Sequence, residues 1–190
     1  MNAADARVSS FAPVAGPDAR VLVLGSMPGV ASLTAVRYYA HPHNRFWPIM
    51  GALVGATPAL PYEQRLQRLI EAGIALWDVL ASCERAGSLD AAIRAPLAND
   101  FAGFFAAHPR VGAVLFNGAQ AETSFRRLVL PGLSAPPVLR RLPSTSPANA
   151  GQRPEAKLAA WREGLLEAGI ALRAAPHSAS GREAKSGGSE

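Results

Sequence analysis

Residues 21–47 read VLVLGSMPGVASLTAVRYYAHPHNRFW. Four consecutive apolar residues, Val21 to Leu24, form the kind of run that is buried on both faces of a parallel sheet, and a Gly/Pro turn at 25–29 follows at the strand's carboxyl end. Ligands of open α/β sheets bind at that end. The rest of the stretch supplies Tyr38, Tyr39, His41, His43, Asn44, Arg45, Phe46 and Trp47. Flat rings, hydrogen-bonding side chains and a cation in so short a loop suit a planar polar ligand such as a nucleobase.

Outward from this stretch, strands and helices alternate. A helix is expected over 45–54, with Asn44 as its N-cap, and a second over 62–72 that stops at Gly73. The apolar run 74–80 reads as the next strand, and 81–98 as a long connection with a short helix at 89–94. Asn99 or Asp100 caps a helix ended by His108-Pro109; 111–116 is a strand leading through Asn117-Gly118 into a helix over 119–129. A strand over 138–142 precedes the loop PSTSPANAG, and Pro154 opens a last helix over 154–168, with 170–172 as an edge strand. This order predicts an α/β fold, a three-layer α/β/α sandwich around a mostly parallel central sheet.

With 190 residues and 49% hydrophobic content, the chain suffices for one core, so a single domain is expected over 19–174. Residues 1–18 and 175–190 read as a flexible N-terminal segment and a disordered polar tail. No apolar run approaches the roughly 18 residues of a membrane span, and no signal-peptide pattern opens the chain, so a soluble cytoplasmic protein without membrane association is expected. The lone cysteine, Cys83, rules out an intrachain disulfide and cannot by itself hold a metal cluster. A formal charge of +5 makes phosphate a plausible partner, with Arg37, Arg45, Arg140, Arg141 and Arg153 placed near loops.

Parallel strands place their following loops on one side, so GSMPG with HPHN, the Asn117-Gly118 turn and STSPAN should converge on one crevice. The sequence shows no carboxylate pair there for two-carboxylate glycoside hydrolysis. GSMPG lacks the Lys-Ser/Thr ending of a P-loop and the spacing of a dinucleotide fingerprint. His41 and His43 lack a third metal ligand, and no G-x-S-x-G elbow accompanies Ser26, Ser144 or Ser146. Neither metal nor cofactor is expected.

These motifs resemble the uracil-DNA glycosylase superfamily, and within it the hypoxanthine-DNA (deoxyinosine) glycosylase branch. The resemblance spans roughly residues 20–170 and rests on GSMPG with YYAHPHNRFW, FNG at 116–118 and LPSTSPAN at 142–149. Mismatch-specific members carry an asparagine inside their G-x-N-P-G turn where this chain has Met27, a thioether that cannot polarise water. The hypoxanthine branch relies instead on the asparagine of H-P-x-N, here Asn44, and a second matching Asn117.

The resemblance implies a monofunctional enzyme of base-excision repair that hydrolyses the N-glycosidic bond of deoxyinosine in DNA and releases hypoxanthine. It implies Asn44 and Asn117 as catalytic residues and Gly25, Ser26, Met27, Tyr39, His41 and Phe46 around the base, with Tyr39 stacking on it. Ser144, Ser146, Asn149 and Arg153 would contact the DNA. No lysine lies in the three loops to form a Schiff base. The partner is DNA containing deaminated bases, with no obligate protein partner, and the protein is expected to be a monomer. Uracil or xanthine excision, and a binding module without chemistry, are the alternatives.

Overall fold

The structure, a computed structural model, describes residues 7–149 and 151–174. Its elements in chain order are β1 (Arg7–Ser9), β2 (Val21–Gly25), α1 (Val30–Ala35), α2 (Phe46–Val54), α3 (Tyr62–Glu71), β3 (Ile74–Asp78), β4 (Leu80–Glu84), β5 (Arg94–Ala98), α4 (Phe101–Ala107), β6 (Ala113–Asn117), α5 (Ala119–Leu128), β7 (Val138–Leu142) and α6 (Pro154–Glu167). Short 3-10 turns lie at Asp90–Ala92 and Leu130–Gly132.

Four strands pair in parallel in the order β3-β2-β6-β7, with Leu22 opposite Ala75 on one side and Val114 on the other. Because side chains alternate across a strand, the apolar runs fill two layers. Val21, Val23, Ile74, Leu76 and Leu115 pack on α2, α3 and α6 through Phe46, Met50, Leu53, Leu69, Trp161 and Leu165. Leu22, Leu24, Trp77, Val114 and Phe116 pack on α4 and α5 through Phe101, Phe104 and Phe125. The connection after β2 thus covers one face and that after β6 the other, which makes the gap between these two strands the topological switch point.

The expected three-layer sandwich is present, with differences of detail, among them the short helix α1 within the stretch expected as loop. The run expected as one strand over 74–80 breaks after Asp78. Val79 N donates to Gly25 O and Leu80 N to Ser26 O, so the chain leaves the parallel ladder and continues as β4. The segment 81–98 is therefore no loose connection: β4 is the centre of an antiparallel ribbon ordered β1-β4-β5, and the helix expected at 89–94 shrinks to the turn Asp90–Ala92. Pro96 obscures β5 in the sequence, and the edge position tolerates its missing N–H.

The segment 1–18, expected to be flexible, is hydrogen-bonded to the rest of the fold over its described part. Arg7–Ser9 pairs with β4, Val14 bridges Leu76, and the Phe11 and Ala12 carbonyls accept from the Trp77 indole and the Tyr38 hydroxyl. Its apolar residues are too sparse for periodicity to reveal, although Phe11 and Val14 pack on the main core. The strand expected at 170–172 is absent, because Gly169 N and Ile170 N close a C-cap on Leu166 O and Leu165 O. Residues 1–6 and the proposed tail over 175–190 lie outside the described residues.

Removing residues 1–18 would strip Phe11 and Val14 from the core and leave the Trp77 and Tyr38 donors without acceptors. At about 1–3 kcal/mol per orphaned donor, with lost apolar burial added, thermal melts should show Tm lower by at least about 5 °C. An unchanged Tm would show that the segment contributes nothing to stability.

Candidate active site

Parallel pairing brings the carboxyl ends of β2, β3, β6 and β7 to one edge, and there the loops enclose a cavity of about 150 Å³. Of the residues expected at a site, Gly25, Ser26, Met27, Tyr39, His41, Asn44, Asn117, Ser144 and Ser146 line it. Phe46, Asn149 and Arg153 do not.

The turn after β2 is held mostly through its carbonyls. Gly25 O and Ser26 O accept from Val79 N and Leu80 N, and Pro28 O accepts from the Arg85 guanidinium. The Ser26 hydroxyl donates to Asp90 Oδ1 at 2.7 Å. The turn amides of Ser26 and Met27 donate to no described residue, so the turn is left with donors to offer a ligand. Gly25 is needed for close approach: a Cβ there would lie 2.5 Å from Asp78 Oδ1 and 3.3 Å from the Tyr39 hydroxyl.

Asn44 is fixed by its own backbone surroundings. Its Oδ1 accepts from Phe46 N at 2.9 Å, so the expected cap is realised as a two-residue turn, with Arg45 rather than Asn44 at the helix N-cap. That bond identifies the oxygen, since the backbone N–H can only donate, and leaves Nδ2 as the group available to the cavity. Tyr39 has a left-handed backbone with φ of 53°, and its ring stacks on Phe46 with centroids 4.0 Å apart. Phe46 is fully buried and backs the tyrosine, so its expected base contact is corrected: it supports the ring that faces the cavity.

Asn117 joins two loops. Its Nδ2 donates to Thr145 Oγ1 at 2.9 Å and its Oδ1 accepts from Thr145 N at 2.8 Å, which ties the end of β6 to the loop after β7. The Tyr39 hydroxyl sits beside this amide and is influenced by it, but without well-formed hydrogen-bond geometry. Gly118 has φ of 99°, and a Cβ there would come 2.9 Å from Ser144 Cβ, so glycine permits both the turn and the loop's approach. The 143–149 loop is also fastened from beneath. Asn149 Nδ2 donates to Ser144 O, and buried Lys157 on α6 donates to Asn149 O at 2.6 Å. Asn149 therefore braces its own loop, while Arg153 is exposed at the start of α6, away from the cavity lining.

Two carboxylates at the site are not apparent from the sequence motifs. Asp78 and Asp90 both line the cavity, although no carboxylate pair was expected there. Burial pushes the Asp78 carboxyl up to about 7; Arg85 opposes that rise and Asp90 adds to it. Asp90 is raised as well, chiefly by burial, against its bond from Ser26 and the field of Arg85. Asp78 Oδ2 has no hydrogen-bond partner among the described residues. Its signal in the sequence is the run IALWD, a buried strand whose last residue is charged at the carboxyl end. Asp90 carries no such signal, because only the ribbon's fold brings it to the turn. His41 Nδ1 accepts from His43 N at 3.1 Å, an arrangement internal to the loop, and no group of three metal-binding side chains occurs among the described residues.

Residues 12–167 match the family model of the uracil DNA glycosylase superfamily. The hypoxanthine DNA glycosylase of Methanosarcina barkeri is 36% identical over 112 residues, 58% of this chain and 71% of that protein. Its namesake from Methanosarcina acetivorans is 35% identical over the same shares of both chains. A solution NMR structure of a candidate uracil DNA glycosylase from Methanosarcina acetivorans superposes with a TM-score of 0.69 at 31% identity, covering 83% of this chain and 98% of that one. The family match embraces all four parallel strands and the three loops that enclose the cavity, and the chain belongs to the uracil DNA glycosylase superfamily.

Proposed function

We propose that this protein excises hypoxanthine from deoxyinosine in DNA by hydrolysis of the N-glycosidic bond. The observation that carries the reading is the buried carboxylate of Asp78, whose Oδ2 has no hydrogen-bond partner among the described residues, beside a turn that offers N–H donors. Hypoxanthine presents N1–H next to an acceptor O6, and an ionised Asp78 with the turn amides is complementary to that edge. Adenine presents a lone pair at N1, which would face the carboxylate oxygen and leave it unpaired. The names of the two Methanosarcina relatives support the same substrate.

The nucleotide must first leave the duplex, at a cost of a few kcal/mol that is smaller at a poorly paired lesion. Tyr39, backed by Phe46, gives the extruded base a flat surface. As the C1′–N9 bond breaks, its electron pair goes to the base and positive charge grows on the sugar. Donors already directed at the base then favour the transition state. Asn44 Nδ2 orients the water that attacks C1′ or donates to the leaving base, and Asn117 acts through the 143–149 loop, which it fastens to the end of β6. Water supplies hydroxyl to C1′ and a proton to the departing base, leaving an abasic site. Lys157 is absent from the cavity lining and hydrogen-bonded to Asn149, which supports hydrolysis rather than a Schiff base.

The same lactam edge occurs in uracil, so deoxyuridine is the competing substrate. Oligonucleotides carrying one deoxyinosine, deoxyuridine, deoxyxanthosine or deoxyadenosine, cleaved with alkali after incubation, should show deoxyinosine cut fastest and deoxyadenosine untouched. Cleavage of deoxyuridine alone would overturn the assignment. Asn44→Ala should lower kcat by about 10²-fold or more, the scale of losing one preorganised donor, and a wild-type rate in that variant would remove Asn44 from the mechanism.

Asp78→Asn separates function from stability. Wild-type kcat/KM should fall as pH drops through about 7, as the carboxylate takes up a proton, and the variant should lose that limb along with most of its activity. Stability should move the other way. With its folded pKa above the unfolded one, Asp78 binds its proton more tightly in the native state, so wild type loses stability as pH rises from about 4 to 7. The stability difference should therefore shift in favour of Asp78→Asn by up to a few kcal/mol over that window. Denaturant titrations at pH 4.5 and 8 check this, and parallel pH profiles for the two proteins would show that Asp78 ionises like an exposed aspartate.

A further inference from the structure

A second cleft, of about 260 Å³, lies on the other side of the loop that walls the base cavity. Tyr38, Tyr39, His41 and Asn44 border both spaces, so the loop is a shared partition. The far wall of the second cleft comes from α2 and α3. There the Arg65 guanidinium lies 4.7 Å from the Trp47 ring centroid and 5.4 Å from that of Tyr62, while Arg37 lies 5.4 Å from the same Tyr62 ring.

Two guanidinium groups thus share one aromatic ring, each 5.4 Å from its centroid and so within about one Debye length of each other at moderate salt. Neither forms an ion pair among the described residues, whereas Arg140 and Arg141, also near loops, are paired to Glu163 and Glu122. Arg65 Nε is buried without a hydrogen-bond partner among the described residues. Stacking on a ring occupies the face of a guanidinium and leaves its N–H edge free, the edge that fits phosphate oxygens in a two-pronged contact. Burial and Arg37 both act against the charge on Arg65, a strain that an anion between them would relieve.

We infer that the Arg37–Arg65 cleft is a phosphodiester site, which holds a backbone phosphate of the DNA strand beside the extruded nucleotide. The inference rests on the proposed function for the identity of the strand, and its chemistry is that of nucleic-acid phosphate in general. With the phosphate on one side of the partition and the base on the other, the loop bearing Asn44 would be gripped between two parts of the same strand.

Fluorescence anisotropy with a lesion-free single-stranded oligodeoxynucleotide tests this without requiring catalysis. Arg37→Ala and Arg65→Ala should each weaken binding about tenfold at low salt. Each should also reduce the slope of log K against log salt by roughly 0.7, the share of one single-strand phosphate contact. Arg126→Ala, at an exposed position of α5 and paired with Glu122, is the control and should leave both quantities unchanged. With deoxyinosine substrate the two cleft variants should raise KM while leaving kcat within about twofold, and Arg65→Lys should recover only part of the loss. Wild-type affinity and slope in Arg37→Ala overturn the site even if Arg65→Ala is unstable, since Arg37 is exposed. Inorganic phosphate that displaces the oligonucleotide better than chloride of equal ionic strength would also overturn it, in favour of a free-phosphate site. Normal slopes of loss with no excision by wild type would sustain the site and refute the proposed reaction.

Discussion

Strand β2 hydrogen-bonds to a parallel neighbour on each side, and the placement of the site depends on that arrangement. A strand so enclosed must be apolar on both faces, which explains VLVL, and it must end abruptly where polar groups begin. Because β3, β6 and β7 run the same way, Asp78, Asn117 and the 143–149 loop reach the same edge as the GSMPG turn. No long-range search by flexible loops is needed. The loops are fastened to one another by hydrogen bonds, Arg45 N to Thr145 O and Asn117 to Thr145 among them.

The polar groups at this edge form a frame rather than a set of independent contacts. Arg85 and Asp90, both from the β4–β5 ribbon, hold the Pro28 carbonyl and the Ser26 hydroxyl, and Asn117 holds Thr145. Burying Asp78 beneath Gly25 is costly to the folded state, as its raised pKa records. An apolar residue there would pack without that cost. The carboxylate is better accounted for as one half of a hydrogen bond whose other half arrives with the ligand.

Most of the fold was legible because its signals are local. The parallel strands announce themselves as apolar runs, β7 was placed at its observed bounds, and the helix stops coincide with Gly73 and the end of α6. The ribbon was illegible for the opposite reason. Ser82, Glu84 and Pro96 interrupt any apolar pattern, and β1 is defined only by its pairing with a segment about 75 residues away. The same divide runs through the site. Residues in motifs, such as Asn44, Tyr39 and Asn117, lie at the cavity. Asp90 reaches it, and Arg85 reaches the turn that walls it, only through ribbon topology, and Asn149 and Phe46, expected at the site, lie outside the lining: spacing cannot tell a lining side chain from its support.

The left-handed backbone at Tyr39 makes that position unusually hard to exchange. Glycine or asparagine would suit the φ of 53° and discard the ring. Leucine or valine would keep an apolar body but add backbone strain without a flat face. Phenylalanine retains the stack on Phe46 with the least change of shape, and it removes a buried hydroxyl that has no hydrogen-bond partner among the described residues. Whether that hydroxyl gains a partner from bound nucleotide is then written in a single oxygen: a Tyr39 that outperforms phenylalanine has a polar duty as well as a stacking one.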